Sequence, residues 1–326
     1  MSKDYYIGID IGGTKVLSAL ADSEGKIINK AQNPTEADKG EDVIISNIED
    51  SIERVIENSK ISKKEVKRIG VGSPGPLDLN KGVIIENSNL AWTNVPIVEI
   101  LEEITGIEVI LENDANAAAL GENQFGAGQA ADHMVYLTIS TGIGGGIIIN
   151  RKIFHGGKGN AGEVGHMTLI PDSDYQCGCG NYGCFEAVAS GTAIARRGRE
   201  SLTVHQDSLI YEYSEGNPDV VDAPLIAAAA REGDQEAIRI FKLTGQLLGV
   251  GIANVVNLFD PEIILLGGGV MHAQDLFMQE LKASLKERAL KPNLKDLQLK
   301  EAKLGKDTGV KGAIAVAMCD YLYQNQ

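Results

Sequence analysis

Short apolar runs that end in glycine-rich turns recur along the chain, and longer amphipathic segments lie between them. Residues 6–20 (YIGIDIGGTKVLSAL) and 135–149 (VYLTISTGIGGGIII) each predict two strands joined by a Gly/Thr turn. A third strand is predicted at 261–266, and it also runs into glycines. Because a strand–turn–strand unit occurs near the start and again near the middle, the pattern indicates a duplicated element.

The intervening segments favour helices. A strand is predicted to run into an alanine-rich helix at about residue 114, and residues 196–240 are predicted to be mostly helical. A long helix is predicted before the 261–266 strand, where Gly245 and Gly249 leave a smooth face for close packing. Strands that alternate with helices predict an α/β fold. At 41–59 the following apolar residues share one helical face: Ile44, Ile48, Ile52, Val55 and Ile56.

Composition and charge exclude some classes of partner. The chain has 326 residues, of which 43% are hydrophobic, and 45 Asp plus Glu oppose 30 Lys plus Arg for a net charge of −15. Because nucleic acids and anionic membranes attract basic surfaces, we expect neither as a partner. The first residues lack a signal-type apolar run, and no apolar stretch reaches transmembrane length, so a cytoplasmic protein is expected.

The first glycine-rich turn carries groups suited to phosphate. Gly12 and Gly13 permit close approach of a ligand to backbone N–H groups, and the Thr14 hydroxyl and Lys15 ammonium can contact phosphate oxygens. Asp10, at the end of the first strand, is a candidate ligand for Mg²⁺ through water. These motifs match neither the P-loop nor the dinucleotide fingerprint.

Two further glycine clusters complete a predicted nucleotide site. The turn STGIGGG offers a second phosphate cradle, and LGGGV gives bare backbone against which adenine or ribose can lie. The alternative for each cluster alone is a tight turn without a ligand. The candidate residues in the two clusters are Thr141, Gly142, Gly144, Gly145, Gly267, Gly268 and Gly269.

Three of the four cysteines fall within the eight residues CGCGNYGC. Cys177, Cys179 and Cys184 follow His166, and three thiolates with one imidazole form a closed, structural zinc site. Its expected role is to fix the 163–186 segment. A disulfide and unrelated buried thiols are the alternatives, although a reducing compartment disfavours the disulfide. Cys319 lies in an apolar helical segment and is predicted to be core.

The ordered motifs DIGGTK, GSPGPLD, ENDANAAALGE, STGIGGG, GEVGHM, CGCGNYGCFE and LLGGGV resemble the ROK family of repressors and sugar kinases, and within it the bacterial glucokinases, over residues 6–318. The resemblance implies an actin-like (ribonuclease-H-like) ATPase fold with two α/β domains and a cleft between them. We expect a small domain of residues 1–113 plus a C-terminal helix, 312–326. Residues 114–311 would form a large domain that carries the zinc site.

The resemblance also implies an acceptor site. Asp114 would be the catalytic base, although an aspartate at a helix start is also a good N-cap. Asn113 would hydrogen-bond a sugar hydroxyl, and Gly75 would offer its backbone. Further sugar contacts implied for the second half of the chain are Glu163, His166 and Glu186, for which solvated surface residues are the alternative. Asn89 is a weaker candidate.

The implied activity is ATP-dependent phosphorylation of glucose at its 6-hydroxyl. Another hexose (fructose, allose, mannose or N-acetylmannosamine) is the alternative acceptor, because a few hydroxyl contacts decide the preference. The implied cofactors are ATP, Mg²⁺ and structural Zn²⁺, and a homodimer or homotetramer is expected. A sugar-responsive repressor and a catalytically inert sugar sensor are the rival functions. A repressor of the family would carry a DNA-binding helix-turn-helix segment ahead of IGIDIGGTK, and because only six residues precede Ile7 here, we do not expect a repressor.

Overall fold

The apolar runs of the sequence form strands at the predicted places, and the amphipathic segments between them form helices. The structure, a computed structural model, describes residues 4–87 and 90–320. The strands in these residues are β1 (Tyr5–Ile11), β2 (Lys15–Asp22), β3 (Ile27–Pro34), β4 (Val66–Ser73), β5 (Leu77–Asp78), β6 (Val83–Asn87), β7 (Trp92–Val95), β8 (Val109–Asn113), β9 (Met134–Ile139), β10 (Ile143–Ile149), β11 (Lys152–Ile153), β12 (Ile263–Gly267) and β13 (Gln298–Glu301).

The helical predictions are confirmed, including those for 41–59, for the long glycine-containing helix and for most of 196–240. The α-helices in the described residues are α1 (Glu41–Ser59), α2 (Ile97–Thr105), α3 (Asp114–Phe125), α4 (Phe185–Ala189), α5 (Gly191–Ser201), α6 (Leu209–Ser214), α7 (Ala223–Arg231), α8 (Gln235–Phe259), α9 (Met278–Arg288), α10 (Lys291–Leu294) and α11 (Thr308–Met318). Within this part of the chain, no helix is both long enough and apolar enough to cross a bilayer.

The chain divides into two compact units. The first contains residues 1–132, 146–162 and 302–326, and the second contains 133–145 and 163–301. The first unit is built on a five-stranded sheet in the order β3-β2-β1-β4-β8, in which β1, β4 and β8 run parallel and β2 and β3 are antiparallel to their neighbours. The strands β5, β6 and β7 form a smaller antiparallel sheet.

Alternation along β1 places its side chains on two different faces. Ile7 and Ile9 are fully buried in the apolar cluster that includes the inward face of α1. Gly8 lies on the opposite face under α11, where an added Cβ would be 2.6 Å from the backbone of Ile314. Because Asp10 is two residues after Gly8, its carboxylate also lies on the α11 face, against Gly309 in the first turn of that helix.

In the second unit, β12 lies between β9 and β13 and is parallel to both. The long helix α8 packs against α9 through the smooth face predicted from its glycines. A Cβ at Gly249 would lie 2.5 Å from the carbonyl oxygen of Leu281. Such an approach leaves no room for a side chain, so the two glycines set how closely the helices pack.

The compact units differ from the predicted domains, whose limits remain a prediction. The helix α3 belongs to the first unit with all of α11, because the two helices meet at glycines: a Cβ at Gly121 would lie 2.9 Å from the Cα of Gly312. Residues 146–162 also belong to the first unit, and the cysteine cluster lies in the second. Residues 321–326 of the predicted C-terminal helix, and Asn89, lie outside the described residues.

Candidate active site

The first glycine-rich turn connects β1 to β2, and hydrogen bonds to the backbone of Gly12 fix its conformation. Gly12 donates its N–H to the Lys15 carbonyl at 3.0 Å, and the Thr35 hydroxyl donates to the Gly12 carbonyl at 2.6 Å. Gly13, Thr14 and Lys15 are exposed. The turn therefore has a fixed backbone and presents the predicted phosphate-binding groups to solvent.

Asp10 is a partly buried carboxylate with a perturbed proton affinity. Burial, together with the negative charge of Asp114, raises the pKa of Asp10 to about 6, and the Lys15 ammonium opposes this rise. A buried carboxylate next to a second carboxylate favours a bound cation, because the cation offsets both the lost hydration and the repulsion. The donor chemistry thus fits the predicted magnesium ligand.

Asn113 and Asp114 lie at the junction of β8 and α3. Asn113 is the N-cap, since its Oδ1 accepts the N–H groups of Ala115 at 3.0 Å and Asn116 at 3.2 Å. The alternative that Asp114 caps the helix is therefore wrong: Asp114 is the first helical residue, and it is exposed. Asn and Asp are equally good caps, so their order could not be decided from the sequence. A Cβ at Gly75 would lie 3.9 Å from the Asn113 amide nitrogen, which places these two predicted sugar contacts side by side.

A carboxylate–histidine pair that the sequence analysis missed lies next to Asn113. The carboxylate of Glu112, only 1% exposed, is 2.7 Å from Nε2 of His155. Burial opposes protonation of the His155 ring, but the hydrogen bond and charge of Glu112 outweigh it, so the pKa of His155 is raised. The two residues are 43 positions apart, and no spacing pattern links them.

The second Gly/Thr turn, Ser140–Gly142, lies in the second unit between β9 and β10. Ser140 donates its N–H to the Gly142 carbonyl at 2.8 Å, and the Thr192 hydroxyl donates to the Thr141 carbonyl at 2.7 Å. Thr141 is exposed, as a phosphate contact requires. The predicted turn was too long, however, because Gly144 and Gly145 are residues of β10.

A cavity of about 650 Å³ adjoins this turn within the second unit. Its wall is mostly apolar and has a few polar groups, as suits a nucleotide base and ribose. Of the third glycine cluster only Gly269 lines it, since Gly267 is packed against Tyr136 and Gly268 against Ile139. The helical segment 191–231 contributes residues that the sequence analysis missed: Gly191, Thr192, Ala195, Arg199, Asp222, Ala223, Pro224, Ala227 and Arg231.

His166 and the three clustered cysteines converge in the second unit. One donor atom from each of the four lies within 4.8 Å of all the others, with Cys179 and Cys184 sulfurs 3.7 Å apart and His166 Nδ1 3.5 Å from the Cys177 sulfur. Zinc–sulfur bonds of about 2.3 Å in a tetrahedron separate two sulfurs by about 3.8 Å, so the donor set fits zinc. The three clustered cysteines form no disulfide in the structure, since the 3.7 Å between the Cys179 and Cys184 sulfurs is well beyond a disulfide bond of about 2.05 Å.

Of the three predicted sugar contacts of the second unit, His166 belongs to this cluster, and Glu163 and Glu186 flank it. Glu163 Oε2 lies 3.7 Å from Nε2 of His166, on the opposite side of the ring from the cysteines. Glu186 Oε1 lies 3.7 Å from the Cys177 sulfur, and its Oε2 accepts the N–H of Ile143 at 2.9 Å. Glu186 therefore links the cysteine cluster to the Ser140–Gly142 turn.

These features define a class of protein. Each unit presents a Gly/Thr turn suited to phosphate, and the first unit adds an exposed carboxylate at a helix start, which is the equipment of a phosphotransferase. The model of the ROK family matches residues 6–319, and the chain belongs to that family. Its fold is the actin-like, two-domain α/β fold of the ROK kinases.

Similar proteins include sugar kinases and sugar-responsive repressors, such as a xylose repressor of Caldicellulosiruptor bescii that is 30% identical over 97% of this chain and 78% of that one. The chain is 39% identical to a glucokinase of Halalkalibacterium halodurans, over 96% of this chain and 94% of that one. A ROK hexokinase structure from Thermus thermophilus is 34% identical with a TM-score of 0.81, and the match covers 98% of this chain and 99% of that one. A ROK glucokinase from Streptomyces griseus, solved with glucose and AMPPNP, is 33% identical with a TM-score of 0.79, covering 96% and 99% of the two chains.

Proposed function

We propose that the protein is an ATP-dependent hexose kinase of the glucokinase type, which transfers the γ-phosphoryl group of ATP to the 6-hydroxyl of glucose. The observation that carries this proposal is the exposed carboxylate of Asp114, fixed at the first residue of α3 beside Asn113 and coupled by charge to Asp10. A kinase needs one carboxylate to accept the acceptor's proton and another to hold the metal that neutralises phosphate.

Nucleotide binding is assigned to both Gly/Thr turns and to the cavity of the second unit. Thr14 and Lys15 would contact phosphate from the first turn, and Thr141 from the second. The apolar cavity wall that includes Gly269 would take adenine and ribose. Magnesium, when bound, neutralises phosphate charge, and Asp10 is the residue proposed to hold it through water.

Acceptor binding is assigned to Gly75, Asn113 and Asp114 in the first unit, together with Glu163, His166 and Glu186 in the second. Carboxylates suit a sugar because each oxygen accepts from a hydroxyl, and neighbouring hydroxyls can share one carboxylate. Asp114 would accept the proton of the 6-hydroxyl as that oxygen attacks phosphorus. Its exposure leaves room for a substrate hydroxyl, which a buried helix cap would not.

The cysteine cluster is proposed to hold a structural zinc ion. Three sulfurs and His166 Nδ1 would supply the four ligands of a tetrahedral zinc ion, so no coordination position would remain for a reacting water. Such an ion would fix the segment that carries Glu163 and Glu186. A homodimer or homotetramer is the expected assembly, which light scattering after size-exclusion chromatography would test.

The test is hexose-dependent ADP release, measured by a coupled assay with glucose, fructose, allose, mannose and N-acetylmannosamine. We expect the highest kcat/KM for glucose, and loss of turnover by about 10²- to 10⁴-fold in Asp114→Asn. Asp207→Asn changes an exposed aspartate outside the candidate site and serves as the control. Absence of turnover with every sugar would favour a sensor or repressor, and near-native turnover in Asp114→Asn would remove that residue from the role of base.

A further inference from the structure

We infer that Glu112 and His155 form a positioning pair that holds the Asn113–Asp114 end of the acceptor site against the glycine-rich segment 155–160. The inference rests on the proposed kinase function for its catalytic consequence. The pair does not touch the reacting atoms in the mechanism above. It acts through the main chain and side chain of Asn113.

One carboxylate fixes three pieces of the first unit. Glu112 Oε1 accepts the N–H of Asn113 at 2.9 Å and the side-chain amide of Asn116 at 3.0 Å, while Oε2 accepts from Nε2 of His155 at 2.7 Å. The N–H of Asn113 is thus held by Glu112, and its side chain is held by the first turn of α3. Because the N–H and the side chain of Asn113 are both hydrogen-bonded, the first turn of α3 is held in place, and the position of Asp114 is restricted with it.

His155 is the natural anchor for the segment that follows it. Residues 156–160 (GGKGN) include glycines with positive φ at Gly156 and Gly159, so this stretch has little intrinsic rigidity. His155 directly precedes this stretch. Its ring is hydrogen-bonded to Glu112, and its carbonyl oxygen accepts the N–H of Ala161 at 3.0 Å. The segment leads in sequence to Glu163, a proposed sugar contact.

One member of the pair is buried and the other is partly exposed to solvent. Glu112 is almost inaccessible, whereas the His155 side chain is 26% exposed and lines a cavity of about 650 Å³ between segments 76–80 and 155–160. The charged groups that share this cavity with the ring are Glu112, Asp78 and Lys158. Solvent therefore reaches the ring, and raising the pH removes the charge of the His155 ring beside the Glu112 carboxylate.

Removal of His155 leaves a buried carboxylate without a charge-assisted partner, which disfavours the native position of the strand end. We expect His155→Ala to lower kcat with glucose about 10- to 100-fold, because a misplacement of about 1 Å can have an effect of that size. The KM for ATP should change less than about twofold. His155→Gln keeps an N–H donor and should recover much of the kcat. A decline of kcat with rising pH that arises from loss of the His155 charge should be absent in this variant.

The matched control is His205, whose Nε2 lies 3.6 Å from Oε2 of the mostly buried Glu236 in the second unit, outside the lining of either cavity. His205→Ala also removes a histidine from a carboxylate, although this contact is longer and Glu236 keeps its Arg239 partner. A kcat loss confined to His155→Ala therefore indicates an effect at the acceptor site rather than the general loss of a histidine side chain. Equal kcat in wild type and His155→Ala, with only a lower unfolding midpoint, would reduce the pair to a structural contact.

Amide hydrogen exchange of the unliganded protein decides the inference independently of activity. His155→Ala should speed exchange at Asn113, Ala115 and Asn116 at least about tenfold, and His205→Ala should not. Unchanged exchange at these amides would overturn the positioning role. If the wild type phosphorylates no sugar, the proposed function fails, and the exchange result still supports or refutes the pair.

Discussion

Asp10→Asn is predicted to stabilise the protein while impairing its activity. In the wild type the Asp10 carboxylate is partly buried on the α11 face of β1, against Gly309, and the charge of Asp114 repels it. Asparagine has nearly the same shape and no charge, so the variant keeps the packing and removes the desolvation and the repulsion. It also removes the proposed magnesium contact, and hexose-dependent turnover should fall.

The size of the effect follows from the pKa. A rise from 3.8 in the unfolded chain to about 6 in the folded protein means that folding retains a proton between these pH values. The contribution of Asp10 to stability is therefore highest below about pH 4 and falls as pH rises to about 6, because there the Asp10 carboxyl binds fewer protons in the unfolded chain than in the folded one. At about 1.4 kcal/mol for each pKa unit, the loss reaches about 3 kcal/mol at pH 8 and about half of that at pH 5.

Urea unfolding of both proteins at pH 5 and pH 8, without magnesium, measures the prediction. Asp10→Asn should be more stable than the wild type by about 3 kcal/mol at pH 8, and this advantage should shrink by about half at pH 5. The exposed control Asp207→Asn should show no such dependence on pH. An advantage below about 1 kcal/mol at pH 8, or one of equal size at both pH values, would show that the carboxylate is not under the electrostatic stress deduced from its surroundings.

Three further outcomes are expected. Gly249→Ala should lower the free energy of unfolding by about 1–3 kcal/mol in urea, because the new methyl group would lie 2.5 Å from the Leu281 carbonyl; an unchanged midpoint would contradict the packing of α8 on α9. Purified protein should contain one zinc per chain by mass spectrometry, which Cys184→Ala loses and Cys319→Ala retains; metal-free wild type would refute the zinc site. Thr192→Val should raise the KM for ATP several-fold and leave that for glucose unchanged, because it removes the hydrogen bond that supports the second phosphate turn; equal shifts in both would argue against a nucleotide role.

Local pattern was enough to predict the parts of the site that lie in one stretch of chain. The apolar run that ends in the glycines of DIGGTK predicted the first phosphate turn and Asp10, and the C-x-C-x4-C spacing predicted the cysteine cluster. Asp10 could be identified from the sequence, but its raised pKa could not, because the pKa depends on burial and on the charge of Asp114, 104 positions away.

Parts of the site that depend on packing were beyond sequence reasoning. Ala195 and Ala227 look like core alanines of two helices, and only the packing of α5 and α7 shows that they line the cavity. Gly267 and Gly269 are two positions apart in one cluster. The Tyr136 ring occupies the space next to Gly267, whereas Gly269 lines the cavity. A glycine cluster indicates close approach, but it does not say whether a ligand or a side chain approaches.

The two units use the same device to hold a functional turn. In the first unit one oxygen of Glu112 accepts the N–H of Asn113, and the other accepts a hydrogen bond from Nε2 of His155. In the second unit Glu186 accepts the N–H of Ile143 with one oxygen, and its other oxygen lies 3.7 Å from the Cys177 sulfur. A carboxylate has two oxygens that can be satisfied separately, so it joins a backbone turn to a distant segment more rigidly than a single hydrogen bond can. In each unit, therefore, a carboxylate ties the backbone of a proposed substrate-binding segment to a second group. In the first unit that second group, His155, is 43 positions from Glu112 and is not a proposed substrate contact, so its variants should change turnover without removing a contact to the substrate.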